Sequence, residues 1–295
     1  MQLIRGNSYY YPSQVVIGGY KVDNQLVLID SGNDDSSVRK AIRDFNDVKV
    51  IALLNTHSHA DHCGGNAYIQ RQFNPPIYAP ELEKSFIESP ILEPTYLYGA
   101  YPMQLLQNKF LMAKPSIVTH AFNACDPIEI QFKGECHLFK PIALAGHSPN
   151  QYGYLTPDGV AYLGDALIST EMVSKHPLIF TYDVTQHLHS LKSLESLNAN
   201  GYVIAHGGYY DEIQSIIDSN RNAMMTTLTH IVSHISTGPC TFDQLHEKLG
   251  TIYNLVENVP QNLLNRSVIH AHVRHLVDLE ELHITVEQGK LLITK

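Results

Sequence analysis

Asn55-Thr56-His57-Ser58-His59-Ala60-Asp61-His62 places four potential metal ligands within six positions: His57, His59, Asp61 and His62. Imidazole and carboxylate donors suit zinc and other first-row divalent ions. Just ahead of them, Val48-Lys49-Val50-Ile51-Ala52-Leu53-Leu54 is nearly continuously apolar, as a buried strand should be. Gly64-Gly65-Asn66 follows, and Ala67-Tyr68-Ile69 reads as the start of a helix. The ligands are therefore expected on a loop between the C-terminal end of a strand and a helix. Layered α/β folds build their sites there.

The same grammar recurs three times. Ile142-Ala143-Leu144-Ala145 precedes His147, Val160-Ala161-Tyr162-Leu163 precedes Asp165, and Tyr202-Val203-Ile204-Ala205 precedes His206. Together the segments supply five histidines and two aspartates, enough for two metal ions that share one carboxylate. A His-rich surface is the bland alternative, because the chain has 17 histidines. Spacing separates His57, His59 and His62 from scattered residues such as His120, His187 and His272. Two metal ions can orient a nucleophilic water, polarise a carbonyl or phosphoryl oxygen and stabilise the leaving oxygen. Asp61 can also take the proton of the attacking water. No G-x-S-x-G elbow is present, so a hydrolase needs no serine nucleophile here.

These residues, with Asp30 at the end of Leu26-Val27-Leu28-Ile29 and just before Ser31-Gly32, resemble the metallo-β-lactamase-fold hydrolase superfamily over roughly residues 10 to 217. The resemblance implies an α/β fold, a four-layered αββα sandwich. It implies His57, His59 and His147 as ligands of one metal, and Asp61, His62 and His206 as ligands of a second. Asp165 would bridge them, and Asp30 would support the site without binding metal. The implied cofactor is a pair of divalent ions, zinc first, with iron or manganese as alternatives.

Composition agrees with a globular enzyme. The chain has 295 residues, 44% hydrophobic and 17% charged, with a net charge of −9. That charge disfavours broad attraction to nucleic acid or anionic membranes. Arg5 is followed by Gly6-Asn7-Ser8 and tyrosines rather than a long apolar run, and no stretch reaches the length of a membrane span. Cys63, Cys125, Cys136 and Cys240 are scattered, with no C-x-x-C pair. The expectation is a reduced, cytoplasmic protein with no membrane partner. Cys63 directly follows a ligand and reads as an extra ligand or a small buried thiol.

The coarse path predicts a hairpin about Asp23-Asn24, a helix over Val38 to Phe45, and a helix from about Gly65 to Phe73. Strands follow at Ile128 to Phe132 and His137 to Leu144, and a further pair flanks Pro157-Asp158-Gly159. Val184, Leu188, Leu191, Leu194 and Leu197 trace a helix face. Two regions depart from a catalytic domain over residues 1–217. An insertion at about 81–119 carries Tyr96, Tyr98 and Tyr101, candidate substrate contacts, together with Ser148, Asn150 and Tyr152 after His147. A helical insertion packed on the domain and a dimer contact are the other roles open to that segment, and a homodimer would follow from the latter. The second region is residues 218–295, where helix, helix, helix and hairpin resemble a small winged-helix-like C-terminal module. That order also resembles the extra module of glyoxalase-II-like hydrolases.

Substrate class is open between branches that share this ligand set. A small-molecule ester, thioester or lactone is the first expectation, since the insertion is apolar and no basic cluster is evident for glutathione or RNA. A phosphodiesterase or nuclease of the same fold, and a persulfide dioxygenase using one iron, are the alternatives. The tail argues against nucleic acid. From Ser219 onward it has six Lys or Arg against seven Asp or Glu, Glu257 among them. Nucleic-acid affinity comes largely from phosphate neutralisation. The tail is expected instead to pack against the catalytic domain or another subunit, and the intact protein to show no tight, salt-sensitive retention of DNA or RNA in filter-binding titrations; such binding would overturn that reading.

Overall fold

The computed structural model describes residues 1–256 and 258–295; Glu257, counted above among the acids of the tail, lies outside the described residues. The chain opens with β1 (Gln2–Arg5), β2 (Ser8–Tyr11), β3 (Ile17–Val22), β4 (Gln25–Ile29), α1 (Asp35–Asp44) and β5 (Lys49–Leu54). The hairpin at Asp23-Asn24 forms, with Val22 paired to Gln25. After β5 come α2 (Ala60–Cys63), α3 (Asn66–Phe73) and β6 (Ile77–Pro80). The insertion is largely helical. It holds α4 (Glu81–Glu88), α5 (Leu92–Tyr98) and a single 3-10 turn at Gln104–Leu106, and it leads into β7 (His120–Phe122). Strands β1 to β7 make one sheet in sequence order, antiparallel up to β4 and parallel from β4 to β7.

A second sheet is built from β8 (Ile128–Phe132), β9 (Glu135–Ala143), β10 (Tyr152–Leu155) and β11 (Val160–Tyr162), then, after α6 (Thr170–Lys175) and α7 (Val184–Leu194), β12 (Gly201–Ile204) and β13 (Gly208–Tyr210). Its order is β13-β12-β11-β10-β9-β8, and only β11 and β12 run parallel. The apolar runs are continuous because both faces of each central strand are covered. Leu26 and Leu28 pack outward against α1 and α3 beside Val38, Ala41 and Ile69. Val27 and Ile29 face the second sheet beside Phe139, Tyr154 and Tyr162. On the far side, Ala161 and Ile204 pack with Val184 and Leu191 of α7. This period of two produces the αββα layering. Each fully buried Val, Leu or Ile contributes ~1.5–3 kcal/mol.

The tail holds α8 (Gln214–Ile235), β14 (Cys240–Thr241), α9 (Phe242–Tyr253), α10 (Val259–Asp278), β15 (His283–Glu287) and β16 (Lys290–Thr294). Helices and a small sheet, β14-β16-β15, form the extra C-terminal module. Thr241 and Gln244 close a capping box at the start of α9, and Asn258 caps α10, which has a proline in its first turn. Residues 217 and 218 both lie within the opening turns of α8, and one core joins Ile217, Leu228, Leu245 and Ile269 to Leu191 and Ile204. The module is packed onto the second sheet's helix layer rather than tethered to it. No helix among the described residues is long and apolar enough to cross a membrane.

His272 is a polar member of that packing. Its Nδ1 lies 2.8 Å from Val268 O, and its Nε2 is buried with no partner among the described residues. Burial, reinforced by His275 and His187, pushes its pKa down to about 4. The unfolded chain therefore binds more protons than the folded one between pH 6.5 and 4, and stability falls as pH drops through that window. Relative to His272→Gln, the wild type is expected to lose about 3 kcal/mol across it. Urea unfolding of chelator-treated protein at several pH values checks this; parallel stability curves for the two proteins would refute it.

Candidate metal centre

The seven expected ligands all sit just beyond strand ends, where the C-terminal edges of the two sheets meet. His57 follows β5, and His59, Asp61 and His62 lie at or within α2, with His59 as its N-cap. His147 follows β9, Asp165 follows β11 and His206 follows β12. The turn before His147 depends on Gly146 at φ +128°, where a Cβ would lie 2.2 Å from the backbone nitrogen of His187. Only glycine lets the two segments approach this closely.

Three groups with metal-ligand geometry result: His57 with His59 and His147; His57 with His62 and Asp165; and Asp61 with His62 and His206. His57 Nε2 and His147 Nε2 lie 3.0 and 2.9 Å from His59 Nδ1. Asp165 reaches both sides: Oδ1 is 3.3 Å from His62 Nε2, while Oδ2 is 3.2 Å from His206 Nε2 and 3.5 Å from His147 Nε2. Asp61 Oδ2 is 3.5 Å from His206 Nε2.

The donor set fits a cation. His147 Nδ1 faces the carbonyl of Phe180 at 3.2 Å, and His62 Nδ1 faces Asp30 Oδ2 at 2.8 Å. Each partner accepts only, so each ring donates from Nδ1 and, when neutral, turns a bare Nε2 inward. His62 Nε2 and Asp165 Oδ1 are both buried and have no hydrogen-bond partner among the described residues. Two buried lone pairs facing one another are costly unless a positive charge lies between them. Without a bound cation, protons on the rings nearest the aspartates take the place of that charge. Burial, with neighbouring histidines, pushes His57 well down, and burial does the same to His147. Burial opposes the charge on His62 too, but Asp165, Asp30 and Asp61 outweigh it and raise that ring. Asp165 beside His206 raises it to about 10.

A second layer holds these side chains. Asp30, in the left-handed region at φ 59°, accepts the Thr56 N–H at 2.8 Å and the Thr56 hydroxyl at 2.7 Å, besides its contact with His62. Glu83 of α4 is fully buried and accepts four hydrogen bonds from Ser58, Ser148 and Asn150. Sequence reading passed over Glu83 because Glu81-Leu82-Glu83-Lys84 looks like an ordinary solvated helix start. Cys63 is the buried thiol: it donates to Ser58 O, and it belongs to none of the three ligand groups.

A cavity of about 440 Å³ opens onto His59, Asp61, His147, Asp165 and His206. Of the six expected substrate contacts, none lines it. Tyr96 comes nearest, donating to Glu93, a buried cavity-wall carboxyl that burial pushes upward. Helix geometry explains the other two tyrosines. Tyr98 lies two residues on, around the helix from Tyr96, and Tyr101 lies beyond the Gly99 cap and is 77% exposed. Ser148 and Asn150 are turned into Glu83, and Tyr152 packs edge-on against Phe122 with ring centroids 5.2 Å apart. The lining residues that sequence reading missed include Glu93, Phe180 and Met172, together with tail residues from Tyr253 to Val268. No spacing pattern marks them.

Two sheets between helix layers, with a His/Asp cluster at the strand ends, define an αββα protein of the metal-binding kind. The chain belongs to the metallo-beta-lactamase superfamily, which matches residues 10–206. It is 36% identical over 80 residues to ribonuclease J of Mycoplasma genitalium, a stretch of 23% of this chain and 14% of that one. It is 38% identical over 55 residues to a hydroxyacylglutathione hydrolase of Thiobacillus denitrificans, 19% of this chain and 21% of the relative. An uncharacterized protein of Aquifex aeolicus matches at 32% over 79 residues, 26% of this chain and 36% of the relative. The chain thus aligns with well under two thirds of each of these relatives. In fold, a crystal structure of a beta-lactamase domain protein from Burkholderia ambifaria superposes with a TM-score of 0.72, 16% identity, and coverage of 98% of this chain and 90% of that one.

If the cluster holds metal, adding zinc to chelator-treated protein raises its melting temperature, with about 2.7 kcal/mol of stabilisation at a hundredfold excess of free zinc over Kd and more as the logarithm of zinc rises. Asp165→Ala should lose most of that gain. Equal gains in the two proteins would remove Asp165 from the centre.

Proposed function

We propose that the protein is a hydrolase that uses a metal-activated water on a small ester, thioester or lactone. The ligand groups described above support two ions, with Asp165 shared between them. The observation that carries the substrate class is the character of the cavity. Its walls include Phe110, Leu111, Met172, Leu178, Leu255 and Val268. Lys175 is the single Lys or Arg among the described residues that line it, and its ammonium is paired with Glu171 at 2.7 Å. Asp61, Asp165 and Glu93 are acids on the same surface. Beyond the metal ions themselves a polyanion would meet only Lys175 there, whereas an uncharged acyl group would find apolar contact.

A bound divalent ion supplies a water whose pKa falls toward ~7 and a positive charge for the oxygen that becomes anionic. The chain's own residues do the rest. Asp61 is half-buried at the cavity floor, placed to accept the proton that the attacking water gives up. The rings of His59 and His147 pack edge-on against Phe180, which fixes their tilt. The apolar wall thins out bulk water around the reacting atoms and strengthens each charge interaction.

Similarity to ribonuclease J favours a second reading, phosphodiester hydrolysis. The apolar cavity wall, with Lys175 as its one Lys or Arg among the described residues, weighs against it. Metal analysis alongside a panel of aryl esters, acyl thioesters, lactones and bis(p-nitrophenyl) phosphate decides. Two ions per chain and preferential carbon-ester or thioester turnover are expected, with Asp165→Ala lowering kcat/KM by about 100-fold or more. One iron per chain with oxygen-dependent persulfide turnover would sink the hydrolase reading. Preference for the phosphodiester would move it to the nuclease.

A further inference from the structure

We propose that Glu83 is a positioning residue that locks the His57–His59 loop of the first sheet to the His147 loop of the second, setting the imidazoles in place before metal binds. The inference deepens the proposed function and rests on its assignment of these three histidines as ligands.

The carboxylate divides its work by oxygen. Oε2 accepts the Ser58 N–H at 3.0 Å and the Ser58 hydroxyl at 2.6 Å. Oε1 accepts the Ser148 hydroxyl at 2.7 Å and the Asn150 N–H at 2.8 Å. Ser58 lies between His57 and His59, and Ser148 directly follows His147. One oxygen therefore serves each ligand loop, and the two loops leave different sheets, after β5 and after β9.

Nothing else explains the burial of this acid. No Lys, Arg or His among the described residues forms an ion pair with Glu83. A carboxylate buried without a cation is costly unless donors saturate it. An acid that merely docked α4 would draw donors from the helix's own surroundings, yet all four come from the two ligand loops. The clamp lies directly behind the ligand atoms. His57 Nε2 and His147 Nε2 lie 3.0 and 2.9 Å from His59 Nδ1, so the two loops meet at their ligand atoms and a shift of either loop displaces them. Between the same loops, the backbone adds one bond, Tyr152 N–H to Thr56 O at 3.0 Å.

Glu83→Gln keeps the shape but turns one acceptor oxygen into a donor that faces two donors, so only one loop stays held. Three readouts on the full chain test it: zinc affinity by chelator competition, the visible spectrum of the cobalt-substituted protein, and amide exchange at Ser58 and Asn150 in chelator-treated protein. The expected results are a 10- to 100-fold loss of zinc affinity, an altered cobalt spectrum, and faster exchange at one or both amides. In kinetics, kcat falls while KM for an apolar substrate holds, because the cavity wall is untouched. Unchanged affinity and spectrum with only a lower melting temperature would overturn the proposal. Should Glu83→Gln fail to fold, Ser58→Ala and Ser148→Ala each remove one hydroxyl and leave a backbone donor. Acting through one carboxylate, their effects on zinc affinity should be non-additive in a double-mutant cycle, and strict additivity or no effect would overturn the clamp. Amide exchange needs no metal, so if the wild type bound none, the proposed function would fail while the clamp remained tested.

Discussion

Five imidazoles and the carboxylates of Asp30, Asp61 and Asp165 converge at one edge of the fold, and Asp30, His57, His62, His147 and Asp165 among them are buried from water. That crowding is the constraint on which the surrounding structure depends. Paired alone, such groups are costly to bury, because each loses hydration that its neighbours must replace. The strand ends bring them together, and the segments behind them hold them in fixed directions. Burial pushes the pKa of His57 and His147 down, while their aspartates push those of His62 and His206 up. The difference follows from how many carboxylates surround each ring: Asp30, Asp61 and Asp165 act on His62 and Asp61 and Asp165 on His206, whereas His147 meets Asp165 alone among other histidines.

The supporting layer reaches further than the ligands. Gly146 allows α7 to run directly beneath the His147 loop, and His187 at that contact is buried with Nδ1 near Thr181 and Nε2 facing Ala166 O. Ala166 is the neighbour of Asp165, so the loops carrying His147 and Asp165 share one brace. Asn55, Asn66 and Ser31 form a buried polar network under the first ligand loop, with Ser31 donating to Asn66 at 2.7 Å and Asn66 to Asn55 at 2.7 Å. Every partner in such a network is needed, since a half-satisfied one is worse than an apolar core.

Selectivity is assembled from parts of the chain that are far apart. The insertion supplies Glu93 and Phe110, the stretch around α6 supplies Met172 and Phe180, and the tail supplies Leu255 and Val268. The C-terminal module therefore packs on the catalytic layers and also walls the cavity. Its core is continuous with that of α7 and the second sheet, which holds those wall residues in place.

The strands and the cluster of potential ligands were legible in the sequence because both are local signals, whereas the four-layered sandwich came from the resemblance. An apolar run buried on two faces reads as a strand, and polar residues with metal-binding donors just past its end read as a site; Asp30, His57, His147, Asp165 and His206 all follow that rule. The tyrosines of the insertion read as a rim, but a helix turns successive residues to different faces, and Tyr101 ends in solvent. Glu83, Glu93 and the tail's cavity wall carry no signal of their own. An acid near a helix start looks the same whether water or four donors surround it. Which of the two it meets is decided only when α4 is laid across the ligand loops of both sheets, since hydrogen bonds between segments 25 to 67 residues apart leave no spacing to read.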